Sequence, residues 1–228
     1  VADVVNASNG TYSDYGAAIT KPSGSGAGLL VIAVTWFYQD GTPSISGWSL
    51  LDKITDGSSG TNDACTTAIL YKVTADLSSE ASTFTVSLTA GGDQKGRCYF
   101  FTGVNATTPI VAGSKVSAGK VTSTIAVPNY NVTLAGSFSL LGCGDWNFST
   151  WQLSGFGGGQ TMPSGFSAFT PSSSSEYGDF YKGSLATGNV GGSFGAQAQQ
   201  FAVVQAIIQP AVSVTPTYPA YSKFSFID

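Results

Sequence analysis

Leu29-Leu-Val-Ile-Ala-Val-Thr-Trp-Phe-Tyr38 is the longest apolar run in the chain, interrupted only by Thr35. At ten residues it falls well short of the ~20 that a membrane-spanning helix needs, and its β-branched and aromatic content reads as one buried strand. A second stretch, Ser137-Phe-Ser-Leu-Leu-Gly-Cys-Gly-Asp-Trp146, repeats it loosely. Leu30 and Trp36 return as Leu140 and Trp146, and Tyr71-Lys72 returns as Tyr181-Lys182, in each case 110 positions later. The chain therefore reads as two related halves.

Around these two runs, period-two alternation rich in Val, Thr, Tyr and Phe recurs between clusters of Gly, Ser, Asn and Asp, the pattern of an all-β protein. It predicts strands over 17–21, 29–38, 48–55, 66–73, 82–88 and 97–102. In the second half it predicts strands over 123–127, 137–146, 166–169, 176–182, 192–196 and 201–209. No helical periodicity is sustained, and 76–81 has room for one short turn. Asp40-Gly41, Asp56-Gly57 and Gly91-Gly92-Asp93 supply turn residues. The segment 104–120 reads as a crossover between the halves. The expected fold is an antiparallel β-sandwich, jelly-roll-like. It forms a single domain over 1–211 from pseudo-repeats at about 17–104 and 121–211, with an extended arm over 212–228. Whether the repeats make one sandwich or two stacked ones stays open.

Composition narrows the function. Hydrophobic residues make up 42% of the chain, ample for a core, while charged residues make up 10%, well below the ~25% typical of soluble domains. Ser, Thr, Gly and Asn solvate the surface instead, as they do in secreted proteins and virion shells. A net charge of −4 and nine scattered basic residues argue against nucleic acid, whose phosphates require clustered Lys and Arg. Val1-Ala2-Asp3-Val4-Val5 lacks the basic start and apolar core of a signal peptide. Either a signal has been removed or only an initiator methionine has; the second option fits a phage structural protein.

The absence of histidine removes Ser-His-Asp and Cys-His nucleophile systems and the commonest general base at neutral pH. Carboxylates able to cleave a glycosidic bond would have to come from Asp145, Glu176 and Asp179. The last two, three residues apart on a strand, face opposite sides, so no catalytic set is assigned. Cys65, Cys98 and Cys143 are odd in number and lie in strand-like contexts, where they read as buried free thiols, with a disulfide between two of them as the alternative. A zinc site would need further ligands, and no Cys-x-x-Cys spacing occurs. Asp52, Asp56 and Asp63 are candidate ligands for a structural calcium ion, without the Asp-x-Asp-x-Asp-Gly pattern that would specify one. Gly24-Ser-Gly-Ala-Gly28 and Gly155-Phe-Gly-Gly-Gly159 resemble phosphate-cradling loops only in composition. Asn-x-Ser/Thr triplets at Asn6, Asn9, Asn105, Asn131 and Asn147 decide nothing without the host.

Two segments stand outside the repeat. In Asp145-Trp-Asn-Phe-Ser-Thr-Trp-Gln152, aromatic faces (Phe148, Trp151) and polar groups (Asp145, Asn147, Gln152) make a candidate carbohydrate-binding set. The competing reading packs Trp146 in the core as the counterpart of Trp36. After Pro210, the arm carries Tyr218, Tyr221, Phe224 and Phe226 and ends in an alternating strand-like stretch. It either folds back on its own sandwich or adds to a neighbouring subunit.

Lys21-Pro-Ser-Gly24, Gly28-Leu-Leu-Val-Ile-Ala33, Gly47-Trp-Ser-Leu-Leu51, Ala68-Ile-Leu-Tyr-Lys-Val73, Ser82-Thr-Phe-Thr85, Phe100-Phe-Thr-Gly-Val104 and Thr107-Thr-Pro-Ile110 resemble a recurrent β-rich module. That module belongs to phage particle proteins and bacterial surface proteins. Leu140-Leu141, Pro163-Ser-Gly-Phe166, Asp179-Phe-Tyr-Lys182, Ala186-Thr-Gly188 and Ala202-Val-Val-Gln-Ala-Ile-Ile208 are similar to its second half. The resemblance covers about 17–211 and departs where Gly28 replaces the usual Asp before Leu-Leu. It implies a non-enzymatic virion protein at the particle surface, as capsid decoration, head fibre or tail-fibre component. The implied partners are other virion proteins and copies of itself in a homo-oligomer, a trimer among the forms allowed. No nucleic acid, membrane insertion or cofactor is implied. The alternative is a secreted or cell-surface carbohydrate-binding module that adheres to host glycans.

Overall fold

The computed structural model describes residues 6–9, 18–37, 40–56, 64–88, 94–118, 124–146, 165–169, 177–195 and 200–211. Their order is β1 (Asn6–Asn9), β2 (Ile19–Thr20), β3 (Gly28–Phe37), β4 (Pro43–Ser44), β5 (Ser49–Asp56), β6 (Cys65–Thr74), a 3-10 turn (Leu77–Ser79), β7 (Thr83–Phe84), β8 (Ser87–Leu88) and β9 (Gln94–Thr102). The second half adds β10 (Ile110–Ala118), β11 (Thr124–Val132), β12 (Ser137–Trp146), β13 (Ser167–Ala168), β14 (Tyr177–Leu185), β15 (Gly188–Gly195) and β16 (Gln200–Ile208).

The protein is all-β, and its strand ladders are antiparallel. One five-stranded sheet has the order β1-β9-β3-β6-β5 and a second has β10-β16-β12-β14-β13, so the same connectivity is drawn twice, once by each half. The two sheets pack face to face through Leu29, Val31, Ala33, Ile69, Tyr99 and Phe101 on one side and Phe138, Leu140, Tyr177, Val204, Ala206 and Ile208 on the other.

Their outward faces are covered as well. On the first sheet, Leu30, Ile32, Val34, Trp36, Leu70 and Phe100 meet Ile19, Leu77, Phe84 and Val86 from the short β2-β7 and β4-β8 ladders and their connections. On the second, Leu141, Cys143, Phe180, Val203 and Ile207 meet Val132 and Val190 from the β11-β15 ladder. The stack thus has four layers. Within each half the chain passes more than once between the central sheet and the covering layer, while β5 and β6, and likewise β12 to β14, follow one another within a central sheet. The covering layers are short ladders, and no full four-stranded second sheet is formed among the described residues.

Four layers explain the opening run. All ten residues of β3 are buried, because the strand sits between two cores and has no solvent face. A strand buried on both sides reads as a continuous apolar run, with alternation lost.

Three expectations are corrected here. The stretch read wholly as crossover contains β10, an edge strand paired with β16, its pattern broken by an irregularity between Ala112 and Lys115. The strand expected over 82–88 divides into β7 and β8, which pair with different partners. The 110-residue echo also misaligns β3 with β12. Val31 pairs with Tyr71, whereas Leu140 pairs with Tyr181, so the matching spacing in β12 is 109. Leu30 consequently packs outward and Leu140 inward. A one-residue slip moves a strand side chain to the opposite face, and it arises because β12 stands 109 residues after β3 whereas β14 stands 110 after β6.

Candidate functional site

The most densely built polar arrangement lies between the two central sheets. Arg97 and Tyr99, two apart on β9, both point inward because strand side chains alternate at period two. Tyr177 and Asp179 do the same on β14. Arg97 Nε lies 3.3 Å from Asp179 Oδ2, and both side chains are 2% exposed. The Tyr99 hydroxyl donates to the same carboxylate oxygen. It also lies 3.2 Å from the Tyr177 hydroxyl, which donates to the Ala33 carbonyl at 3.3 Å.

Burial pushes the Asp179 carboxyl above its ordinary range, opposed by the Arg97 charge and the Tyr99 hydrogen bond. Burial, reinforced by the Asp179 charge, raises the Tyr99 phenol well above its usual value. Charge in a low-dielectric interior is tolerated when it is paired and hydrogen-bonded, and the Asp179 carboxylate has both, from Arg97 and from the Tyr99 hydroxyl.

Further polar contacts also join the halves. Thr35 Oγ1 and Thr67 Oγ1 are 2.9 Å apart, and Thr67 donates to the Ala202 carbonyl at 3.0 Å. Lys115 on β10 reaches Asp52 Oδ1 at 2.7 Å and the Lys53 carbonyl at 3.1 Å. Asp56 Oδ2 accepts from the Phe201 backbone N–H at 3.2 Å.

These contacts decide several sequence expectations. Asp179, weighed as a glycosidic acid, is sealed between sheets where no sugar reaches it; Glu176 lies outside the described residues. Of the calcium candidates, Asp52 and Asp56 accept hydrogen bonds from protein donors, and Asp63 lies outside the described residues. Among the described residues no group of three or more His, Cys, Asp or Glu side chains is placed to hold a metal ion. Cys65, Cys98 and Cys143 are buried thiols.

Of the candidate carbohydrate set, Asp145 belongs to β12, with its backbone paired to Phe201. Asn147, Phe148, Trp151 and Gln152 lie outside the described residues, as do Tyr218, Tyr221, Phe224 and Phe226 of the arm. The described ends from which the two segments depart are nonetheless informative. Trp146 ends β12 beside Gln200, at one end of the stack. Ala211 sits at the opposite end, where its N–H donates to the Gly103 carbonyl at 2.8 Å and Pro210 bridges Val104.

Sequence reasoning overlooked Arg97, Tyr99 and Tyr177. The available signal was the Arg97-Cys-Tyr99 alternation, which places two polar-tipped side chains on the same strand face as Phe101. Comparison with protein-family models, curated proteins and solved structures gives no match.

Proposed function

We propose that the chain is a non-enzymatic structural protein of a phage particle, displayed at the virion surface as capsid decoration, head fibre or tail-fibre component. The observation that carries this reading is where the chemistry-bearing side chains go. Arg97, Tyr99, Tyr177 and Asp179 are spent on joining one half to the other inside the stack. A four-layered block of this kind is a stiff spacer. The departures toward 147–164 and 212–228 at opposite ends suit a protein that is anchored at one end and presents a surface at the other. The low charge and the Ser/Thr-rich composition fit long-lived contact with neighbouring subunits, and the arm is the segment proposed to make it.

The test is particle association. Purified virions analysed by mass spectrometry should contain the chain at fixed stoichiometry to the main shell or tail protein, and antibody against it should label intact particles. Deletion of 212–228 should abolish incorporation. Particles devoid of the chain would overturn the proposal. Saturable glycan-array binding by protein found only off the particle would support the adhesion module instead.

A further inference from the structure

The two halves correspond strand for strand across their shared core, the sheets standing closer where β16 crosses β6 than where β9 crosses β14. With the corrected alignment, Ala33 corresponds to Gly142, Ile69 to Asp179 and Arg97 to Val204, since Ala33 pairs with Ile69 and Arg97 as Gly142 pairs with Asp179 and Val204. Corresponding positions face one another: a Cβ on Gly142 would lie 3.1 Å from Ala33 Cβ. β9 contributes Arg97 against Asp179 of β14, and the reciprocal pair of strands, β16 over β6, contributes Val204 and Ile69 to the shared core. An approximate two-fold axis therefore runs between β3 and β12, with an ion pair on one side and an apolar pair at the corresponding place on the other.

That asymmetry has a consequence for association. In a self-complementary interface every contact occurs twice, with the roles of the two surfaces exchanged. If the first half met the first half of a second copy, each Arg97 would face Ile69 and remain buried without a carboxylate. If two second halves met, each Asp179 would face Val204 without a cation. Size agrees with charge. A Cβ on Gly144 would overlap Thr35 Cγ2, and Thr35 is the residue corresponding to Gly144, so two first halves would bring Thr35 against Thr35. Discrimination of this kind works by penalising the wrong partner as well as by favouring the right one.

We infer that Arg97 with Asp179, supported by Thr35 against Gly144, forms a mating code that lets a first half pair only with a second half, its own or that of another copy. Like-with-like association is excluded, and the protein that can occupy either central face is a second copy exchanging complementary halves. This inference is independent of the virion reading.

Charge exchange in the full chain tests it. Arg97→Asp and Asp179→Arg each place like charges across the interface, so each variant alone should lose the wild-type solution mass and denaturation midpoint. The double variant Arg97→Asp/Asp179→Arg restores opposite charges and should recover both. Co-refolding the two single variants in equal amounts should give a 1:1 heterodimer of doubled mass by light scattering, since each half then finds its complement only in the other chain. The inference is overturned if either single variant keeps the wild-type mass and midpoint. It is equally overturned if the double variant is no more stable than the singles, or if the mixture forms no heterodimer.

Discussion

Ala33 and Gly142 face one another at the centre of the stack, with the Ala33 Cβ 3.1 Å from the point a Cβ on Gly142 would occupy. Two residues further along the same strands the fit is closer still. A Cβ on Gly144 would overlap Thr35 Cγ2 and stand 2.7 Å from Thr67 Oγ1 and 2.8 Å from Cys65 Sγ. The two glycines thus set how near the sheets approach.

Gly144→Ala should destabilise the fold by about 1–3 kcal/mol, the usual cost of forcing a methyl group into a well-packed interior. Gly142→Ala should cost less, because its nearest neighbour, the Ala33 methyl, stands 3.1 Å away and a shift of only a few tenths of an ångström between the strands relieves the contact. Adding Thr35→Ser to Gly144→Ala removes the overlapping Cγ2 and should recover part of the loss. Chemical denaturation of the three variants checks the ranking; equal stability of Gly144→Ala and wild type would contradict the close approach.

The fold class was legible because its signals are local. The strands expected over 29–38, 66–73 and 137–146 correspond to β3, β6 and β12, since runs such as Leu29 to Phe37 carry their period and burial in their own residues. What escaped was set by partners distant in sequence. The inward placement of Arg97 acquires meaning only when β14, some 80 residues later, brings Asp179 beneath it. The slip that sends Leu30 outward and Leu140 inward shows only in the ladders, where the spacing is 109 between β3 and β12 and 110 between β6 and β14. β10 was overlooked because Gly113, Ser114 and Lys115 break its pattern at the bulge, where Gln205 reaches the Ser114 N–H at 3.3 Å. Of the candidate carbohydrate set, the structure describes only the backbone of Asp145.

Removing one partner of a buried ion pair is costlier than replacing both. Arg97→Met leaves the Asp179 carboxylate in an apolar interior and should cost about 3–5 kcal/mol, whereas Arg97→Met/Asp179→Leu should return to within about 2 kcal/mol of wild type. Urea titrations with a common m-value test this. A double variant as unstable as the single would mean that shape, and not charge pairing, governs the site.

The pH dependence of the same residue has a definite sign. Because burial raises the Asp179 carboxyl above its ordinary value of 3.8, the folded chain takes up this proton before the unfolded chain does. Stability contributed by this residue therefore rises as pH falls through the folded value toward 3.8, opposite to the usual behaviour of a paired carboxylate. Asp40 and Glu80, lowered chiefly by hydrogen bonds from Lys53 and Lys72, act in the contrary direction, losing stability as pH falls. Comparison with Asp179→Asn separates the two. From pH 7 down to about 4, the melting temperature of wild type should gain on that of the variant; parallel curves would refute the assignment.

The cysteines report on whether the stack opens as a unit. All three are buried, Cys98 on the outward face of the first sheet, Cys143 on that of the second, and Cys65 beside Phe37 and Ala202 where the sheets meet. Burial raises the Cys98 and Cys143 thiols well above their ordinary value, and since the thiolate is the reactive form, access and ionisation are both suppressed in the folded state. A thiol reagent should label none of the three within minutes under native conditions and all three after denaturation. If the four layers unfold together, the slow native-state labelling rates should agree with one another and with the global unfolding free energy. Faster labelling of Cys143 than of Cys98 would instead reveal that the second half opens on its own, and that the buried Arg97 and Asp179 pair does not hold the two halves in one cooperative unit.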